Sequence, residues 1–484
     1  MSSSSSRMGI FGWGIVAPKS PDIESFRRNL DSSGSWLEPF NGYGPDNFLV
    51  GTPQFDFSVY EGWVKERFAP RHFKRLVEKM DFPALYAVGA FIQALGQNPG
   101  LEQVLQQLGT EAHVYVGTGL GSIHTIHRES LALQERQARW DAFWAGREQE
   151  LSTYLDELAT IDSRPVEGSV QTGKLHAIRD KEQSRAKLQE RWNVPEPPWH
   201  VSPDVIWNIQ NTPAAQISIL GRITGMTFAP VAACSTFGVA LKLAMNAIRS
   251  GEARAVVVGA SDPPPHPLTV GSFYSARVLS ASRGVSLPLT QLQGTHVSGG
   301  SVVWIVGDMD FMQSQGFSPL GMEPLSIGVT SDAHHIVTPS PDGPRAAMAL
   351  ALADAGARPD DVETWDLHAT ATPGDYSEVA TLRSVLPGAV LVTARKGTFG
   401  HGMSAGGGWE LTAQYLGYAA GRLFPTPLRR AALNGAIADV HGAFVFDEAL
   451  PAPAGLGGKL SMGIGGINAC VISRPFGDDG EERA

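Results

Sequence analysis

The run of elements along the chain predicts an α/β protein built from parallel-sheet layers, and three observations carry that prediction. Nearly continuous apolar runs at 254–260 and 301–306 have the pattern of strands buried on both faces. Segments with apolar residues at three- and four-residue steps alternate with such runs. The chain's 484 residues, 43% hydrophobic, suffice for two core-bearing halves.

The elements follow in order. Residues 8–18 read as a buried strand and a turn, and 23–30 as a short helix. From 75 to 95 the apolar spacing is helical, with Pro83 marking a break or a fresh helix start. Residues 112–117 form a strand entering Gly117-Thr118-Gly119, a Gly-x-Gly run without the rest of a dinucleotide fingerprint, so a close-packed turn is expected there. Between 123 and 198 lie three charge-rich helical segments, 128–147, 148–161 and 174–192, with Trp140, Phe143, Trp144 and Tyr154 among them; they read as a solvated helical elaboration. Phe237, Ala240, Leu241, Ala244, Met245 and Ile248 line one face of a helix that Gly251 stops. In the second half, strands are expected at 325–330, 362–368 and 390–394, and helices at 344–355, closed by Gly356, and at 407–420.

Composition narrows the function. A net charge of −10 and a pI near 5.7 argue against nucleic acid as a general partner. Cys234 and Cys470 are the two cysteines, so no disulfide framework is expected and a reducing cytoplasm fits. Residues 1–7 lack an apolar core and read as a disordered lead-in, not a signal peptide. No run of about 18 apolar residues occurs, so no membrane span is expected.

The chemistry centres on Ala232-Ala233-Cys234-Ser235-Thr236-Phe237. Cys234 falls just before a helix N-terminus, where unpaired N–H groups and the helix dipole favour an anion, so its thiol pKa is expected to be lowered. A small buried core cysteine is the plain alternative. Two histidines decide for a nucleophile: His368 in Asp366-Leu367-His368-Ala369-Thr370-Ala371-Thr372, and His401 in Lys396-Gly397-Thr398-Phe399-Gly400-His401-Gly402. A cysteine with distant histidines is the expected layout of a nucleophilic site, because folding brings them together. Zinc is disfavoured by the lack of close C-x-x-C or H-x-x-x-H pairing, and His334-His335 reads as a loop.

These blocks resemble those of the β-ketoacyl synthases, the decarboxylating condensing enzymes of fatty-acid and polyketide synthesis. Ala233-Cys234-Ser235 resembles the family's nucleophile turn. The stretch from His368 to Thr372, with Asp375 and Glu378, resembles H-G-T-G-T-x-x-x-D-x-x-E, both glycines being alanine here. Lys396, Gly400, His401, Ala405 and Gly407 match K-x-x-x-G-H-x-x-x-A-x-G, with Glu410 following, and Ser461 to Ala469 resembles the C-terminal glycine-rich signature. The resemblance implies a thiolase-like fold, two similar βαβαβ-type halves in five layers (α-β-α-β-α), divided as 1–260 with the helical insertion at about 123–198, and 261–484. It implies catalysis by Cys234, His368, His401 and Lys396, and an oxyanion hole from the backbone N–H groups of Cys234 and Ile464. Thr370 and Thr372 would bind the pantetheine arm, with Glu410, Asp375 and Glu378 supporting the site from behind.

The implied reaction joins an acyl group on Cys234 to a malonyl thioester with loss of CO2. The substrates would arrive on acyl carrier protein, whose phosphopantetheine arm is a carrier and not a resident cofactor; no metal or other cofactor is expected. Because the average surface is acidic, docking an acidic carrier needs a local basic patch. A homodimer, or a heterodimer with a related subunit, is implied. An acyltransferase or starter-unit enzyme on the same fold is the alternative, and a chain-length partner subunit is disfavoured by the intact Cys234, His368 and His401. Three departures point to a specialised condensing enzyme over the housekeeping fatty-acid one, the long insertion at about 123–198 being one. Ile464 stands where the family commonly has a gating Phe, and the usual charged block is replaced by Pro288-Leu289-Thr290-Gln291.

Overall fold

The computed structural model describes residues 6–43, 48–166 and 173–476. Most of the expected N-terminal lead-in lies outside the described residues. In chain order the elements that build the site are β1 (Met8–Val16), α1 (Phe82–Leu95), β2 (Ala112–Gly117), α2 (Thr212–Gly221), β3 (Thr227–Phe228), α3 (Thr236–Arg249), β4 (Ala255–Asp262) and β5 (Gly300–Asp308). They continue with β6 (Met322–Ser331), α4 (Asp342–Ala355), β7 (Val362–Asp366), α5 (Gly374–Val385), β8 (Leu391–Thr393), α6 (Met403–Ala419), β9 (Leu456–Gly463) and β10 (Ile467–Pro475).

Two five-stranded sheets result, ordered β1-β5-β4-β2-β3 and β8-β7-β9-β10-β6. Each contains two parallel and two antiparallel pairings, in the same positions, so the halves are similar and the sheets are mixed where uniformly parallel layers were expected. The hairpin of β9 and β10 turns on Gly465 and Gly466, both at positive φ, and supplies antiparallel pairing that periodicity did not reveal. β5 lies between β1 and β4, so the first half extends through Asp308 and the division expected at 260 is corrected. A break after the antiparallel β5 completes the first sheet; a break at 260 would leave it without an inner strand.

Helices α3 and α6 pack between the two sheets, α1 and α2 cover the first sheet, and α4 covers the second with α5 against it, giving the five layers that the resemblance implied. α6 is buried continuously from Met403 to Gly417, as a helix with sheets on opposite sides must be. The core between the sheets is aromatic: Phe237 meets Trp304 edge-on at 5.0 Å, and the Trp304 and Trp409 indole N–H groups donate to Thr412 Oγ1 and the Ser301 carbonyl. Pro83 falls in the first turn of α1, so the expected break at Pro83 is a fresh start after the helix Arg71–Lys79.

Residues His124–Ile206 form a separate compact unit. Its helices, Ile123–Trp144, Glu148–Asp162 and Gly173–Trp192, enclose a small core of Tyr154, Ile161 and Leu188, flanked by Trp144 and Trp192. The elaboration expected at 123–198 is thus a miniature helical body with its own interior.

Candidate active site

Cys234 occupies a 3₁₀ turn, Ala233–Ser235, directly ahead of α3. Ala233 is held at φ +49°, a left-handed conformation that costs an L residue about 1 kcal/mol and sharpens the turn carrying the sulfur. The placement at a helix start is as expected, but the lowered pKa is not. Burial pushes the thiol up to about 11, outweighing the attraction of Lys396 and the hydrogen bonds from the Ile464 and Cys234 N–H groups. A helix dipole is a fractional charge, and removal of a thiolate from water costs more than it returns.

His368 follows β7 and His401 precedes α6, and the two rings stand perpendicular with centroids 5.4 Å apart. One ligand atom of each histidine and Cys234 Sγ all lie within 4.8 Å of one another, and all three residues are buried. The cluster is the kind that could hold a thiophilic cation. Buried cations stand beside it, and no other His, Cys, Asp or Glu among the described residues joins it.

The loops beneath the histidines are tightly specified. Glu378 accepts the N–H groups of His368 and Ala369, at 2.7 and 2.8 Å, and Asp375 accepts those of Leu289, Thr370 and Ala371. The acidic pair therefore fixes the backbone of the His368 loop, and it reaches Leu289 in the segment where the family's charges are missing. Burial raises both carboxyls, Glu378 to about 8 and Asp375 to about 6. Ala371, in place of a family glycine, sits at φ +60°. Gly400 adopts φ +76°, ψ −173°, a region open essentially to glycine alone, and a Cβ there would lie 2.1 Å from Ser298 Oγ. His401 donates its N–H to the His296 carbonyl at 2.6 Å, and its Nδ1 accepts the Met403 N–H at 3.0 Å, which leaves the ring proton on Nε2.

Burial, reinforced by Lys396, drives His401 down to about 3 and His368 well below its ordinary value, so both imidazoles are neutral at physiological pH. Lys396 bonds Glu410 Oε1 at 2.5 Å, and Lys459 meets Glu410 Oε2 at 2.7 Å. Lys396 and Glu410 were expected here; Lys459, Asp366 and Arg395 were not. Their sequence signals were faint: charges inside otherwise apolar strands, two residues before His368 and one before Lys396.

Cys234, His368 and His401 open on one cavity of about 600 Å³. Its wall includes Phe273, Val278, Val337, Met462 and Ile464, and Thr370 and Thr372 line it with their hydroxyls paired at 2.9 Å. Ile464 is 43% exposed. Cys470 is fully buried in the second half's core. The Gly117-Thr118-Gly119 segment is the close-packed turn expected: a Cβ on Gly117 would lie 1.9 Å from the Pro230 carbonyl oxygen, and the Gly119 and Leu120 N–H groups donate to Asp262. His335 Nδ1 accepts two N–H groups of its own loop, from Val337 and Thr338.

Two measurements check this geometry. Alkylation of Cys234 by iodoacetamide should accelerate about tenfold per pH unit from pH 7 to 10, because the thiolate fraction is still rising; a plateau near pH 8 would contradict burial as the dominant influence. Ala371→Gly should raise unfolding stability by about 0.5–1 kcal/mol, relief of left-handed strain exceeding the entropy glycine adds to the unfolded chain; a loss in chemical denaturation would remove the strain argument.

The comparisons agree with the geometry. The family model described as β-ketoacyl synthase, N-terminal domain, matches residues 157–306, and the C-terminal domain model matches residues 323–427. The 3-oxoacyl-[acyl-carrier-protein] synthase 2 of Staphylococcus aureus (strain COL) is 28% identical over 278 residues, which cover 55% of this chain and 66% of that protein. The chain thus spans just under two thirds of that relative's length. Among solved structures, the ishigamide ketosynthase/chain length factor superposes with TM-score 0.73 at 18% identity, covering 98% of this chain and 100% of the other. A type II polyketide synthase structure of an acyl-carrier protein in complex with its ketosynthase gives TM-score 0.69 at 17% identity, covering 98% and 100%. With both family models matched in order over more than half of its length, the chain belongs to the β-ketoacyl synthase family.

Proposed function

We propose that this protein is a β-ketoacyl-[acyl carrier protein] synthase that extends an acyl group on Cys234 by decarboxylative condensation with a malonyl thioester. The observation that carries the reading is the convergence of Cys234, His368 and His401 on one cavity, with the Ile464 and Cys234 N–H groups directed at the sulfur. In the first step Sγ attacks the acyl thioester, the carbonyl oxygen gains negative charge against those two N–H groups, and the pantetheine thiol departs with the cysteine's proton. A largely protonated resting thiol suits this exchange, since one S–H is consumed and one is formed.

In the second step the malonyl thioester loses CO2, and its carbonyl oxygen takes up the charge of the enolate. Neutral imidazoles supply N–H donors to that oxygen without themselves giving up a proton at neutral pH, and Nε2 of His401 is already fixed as a donor. The enolate carbon then attacks the acyl carbonyl, the Cys234 thiolate leaves and is reprotonated, and a carrier-bound β-ketoacyl product is released. Thr370 and Thr372 are placed for the amides of the pantetheine arm, and Lys396 with Glu410 supports the histidines from behind.

Acyl carrier protein is the proposed partner, and a homodimer or a heterodimer with a related subunit the proposed assembly; the carrier complex and the ketosynthase/chain length factor among the similar structures support these readings. Two buried free cysteines are in keeping with a reducing, cytoplasmic setting. Among the described residues no helix is long and apolar enough to cross a membrane.

Intact-mass analysis after incubation with an acyl-loaded carrier, followed by a malonyl-loaded carrier, should show acylation of the wild type, none of Cys234→Ala, and a product two carbons longer. His401→Asn should acylate yet form product about 10²–10³-fold more slowly. Acylation without extension in the wild type would move the assignment to an acyltransferase or starter-unit enzyme. Ile464→Phe should narrow acyl-chain preference, because the larger ring would stand at the mouth that Ile464 now leaves open; identical chain-length profiles would remove Ile464 as a gate.

A further inference from the structure

Behind the histidine pair lies an unbroken chain of five buried charges. Arg395 Nε is 3.2 Å from Asp366 Oδ2, and Lys459 Nζ is 3.7 Å from Asp366 Oδ1 and 2.7 Å from Glu410 Oε2. Lys396 Nζ is 2.5 Å from Glu410 Oε1, and Lys396 follows Arg395 in sequence, so both ends of the chain come from one segment. None of these side chains is more than 3% exposed. Three cations against two carboxyl groups leave a surplus of at least one positive charge out of reach of water.

Lys459 is the member that joins the site's separate pieces. Its ammonium also donates to the carbonyls of Leu367, immediately before His368, and Leu460, at 3.3 and 2.6 Å. It rises from β9, whose end carries Met462, Gly463 and Ile464 into the cavity, and it pairs in register with Asp366 of β7. Through Glu410 it reaches α6, the helix that begins beside His401. One ammonium therefore ties the Ile464 turn, the His368 loop and the His401 helix together. Removal of Lys459 would leave Glu410 with Lys396 alone and would cancel the surplus charge.

We propose that Lys459 is a positioning residue for the histidine pair: by bridging Glu410, Asp366 and the Leu367 carbonyl it holds the His368 loop, the Ile464 turn and the His401 helix together and keeps a buried positive charge beneath both imidazoles that disfavours an imidazolium. It touches neither substrate nor the reacting atoms; it acts through His368, His401 and the Ile464 turn. The other charged or titratable groups facing the pair are few. Asp375 and Glu378 approach from α5, and Arg395 and Lys396 from the segment before His401. Among the described residues Asp366, Glu410 and Cys234 also stand near, with Asp262, which accepts the Ser404 N–H and hydroxyl at the start of α6. Burial is the largest influence against an imidazolium on both rings, Lys396 adds to it, Lys459 contributes on both, and Glu410 opposes at His401.

The role in catalysis rests on the function proposed above, whereas the effect on the imidazoles does not, so the test reads both. Protein carrying 13C-labelled histidine is titrated by NMR, with His368 and His401 assigned from their Asn variants. In the wild type neither ring should protonate above pH 5. In Lys459→Gln, which keeps hydrogen-bond donors for the carbonyls but no charge, at least one midpoint should rise by one pH unit or more. CO2 release from a malonyl-loaded carrier should acquire an acid limb at that midpoint, while the pH dependence of Cys234 alkylation stays as in the wild type. Lys459→Arg should restore the wild-type midpoints. A folded Lys459→Gln that titrates as the wild type does, or wild-type imidazoles protonated at pH 6, would overturn the proposal. Should Lys459→Gln not fold, Lys459→Gln/Asp366→Asn gives up one charge of each sign and should leave the midpoints within a few tenths of a unit; a large rise there would also overturn it. Shifted imidazoles in a protein whose wild type releases no CO2 would overturn the function and leave the assignment of Lys459 standing.

Discussion

Two helices confined between two sheets impose the geometry on which the rest of the molecule depends. α6 has no solvent face from Met403 to Gly417, and glycine lets the layers close. A Cβ on Gly408 would lie 2.9 Å from the Phe237 ring and 2.5 Å from Val302, one on Gly238 would lie 2.7 Å from Ala469, and one on Gly407 would lie 2.7 Å from Ser461 Oγ. Because both helices begin at the same end of this layer, the turn before α3 and the turn before α6 meet there. Cys234 and His401, 167 positions apart in sequence, become neighbours as a result of helix packing.

The same confinement sets the electrostatics. The thiol, both imidazoles and five charged side chains are buried, and burial is the largest influence on every ionisable group of the site that is displaced from its ordinary range. The protein answers with pairing where charge is kept and neutrality where it is not. Glu410 stays ionised because Lys396 and Lys459 together outweigh its desolvation. Burial, aided by Lys396 and Lys459, strips the histidines of their protons. A site of neutral donors around a thiol is suited to charge that appears only during reaction, since nothing needs to reorganise when the enolate or tetrahedral oxyanion forms.

Much of this was legible from the residues. The strand at 301–306, the helix behind Cys234, the helix closed by Gly356 and the restart at Pro83 follow from periodicity and backbone chemistry, and Cys234, His368 and His401 are singled out by three short blocks that resemble those of the family. The antiparallel strand β5 was recognised as a strand, yet its place inside the first sheet was hidden, because a run of buried valines is the same whichever neighbour it pairs with. The Cys234 thiol is raised where its place in the sequence suggests the opposite, for a related reason: a helix start is visible in sequence, whereas the depth at which it is buried is not. Lys459 was overlooked because one lysine within a strand looks like a solvent-facing residue until the layer that covers it is known.

What the sequence by itself determined is therefore local: which segments are helices and strands, which turns demand glycine or strain an alanine, and which residue types carry the chemistry. Only the tertiary structure decided strand order, the depth of the site, and which buried charges meet. The physical reason is that hydrogen-bonding periodicity and φ/ψ limits act over a few residues, while desolvation and ion pairing depend on what the rest of the chain packs against them.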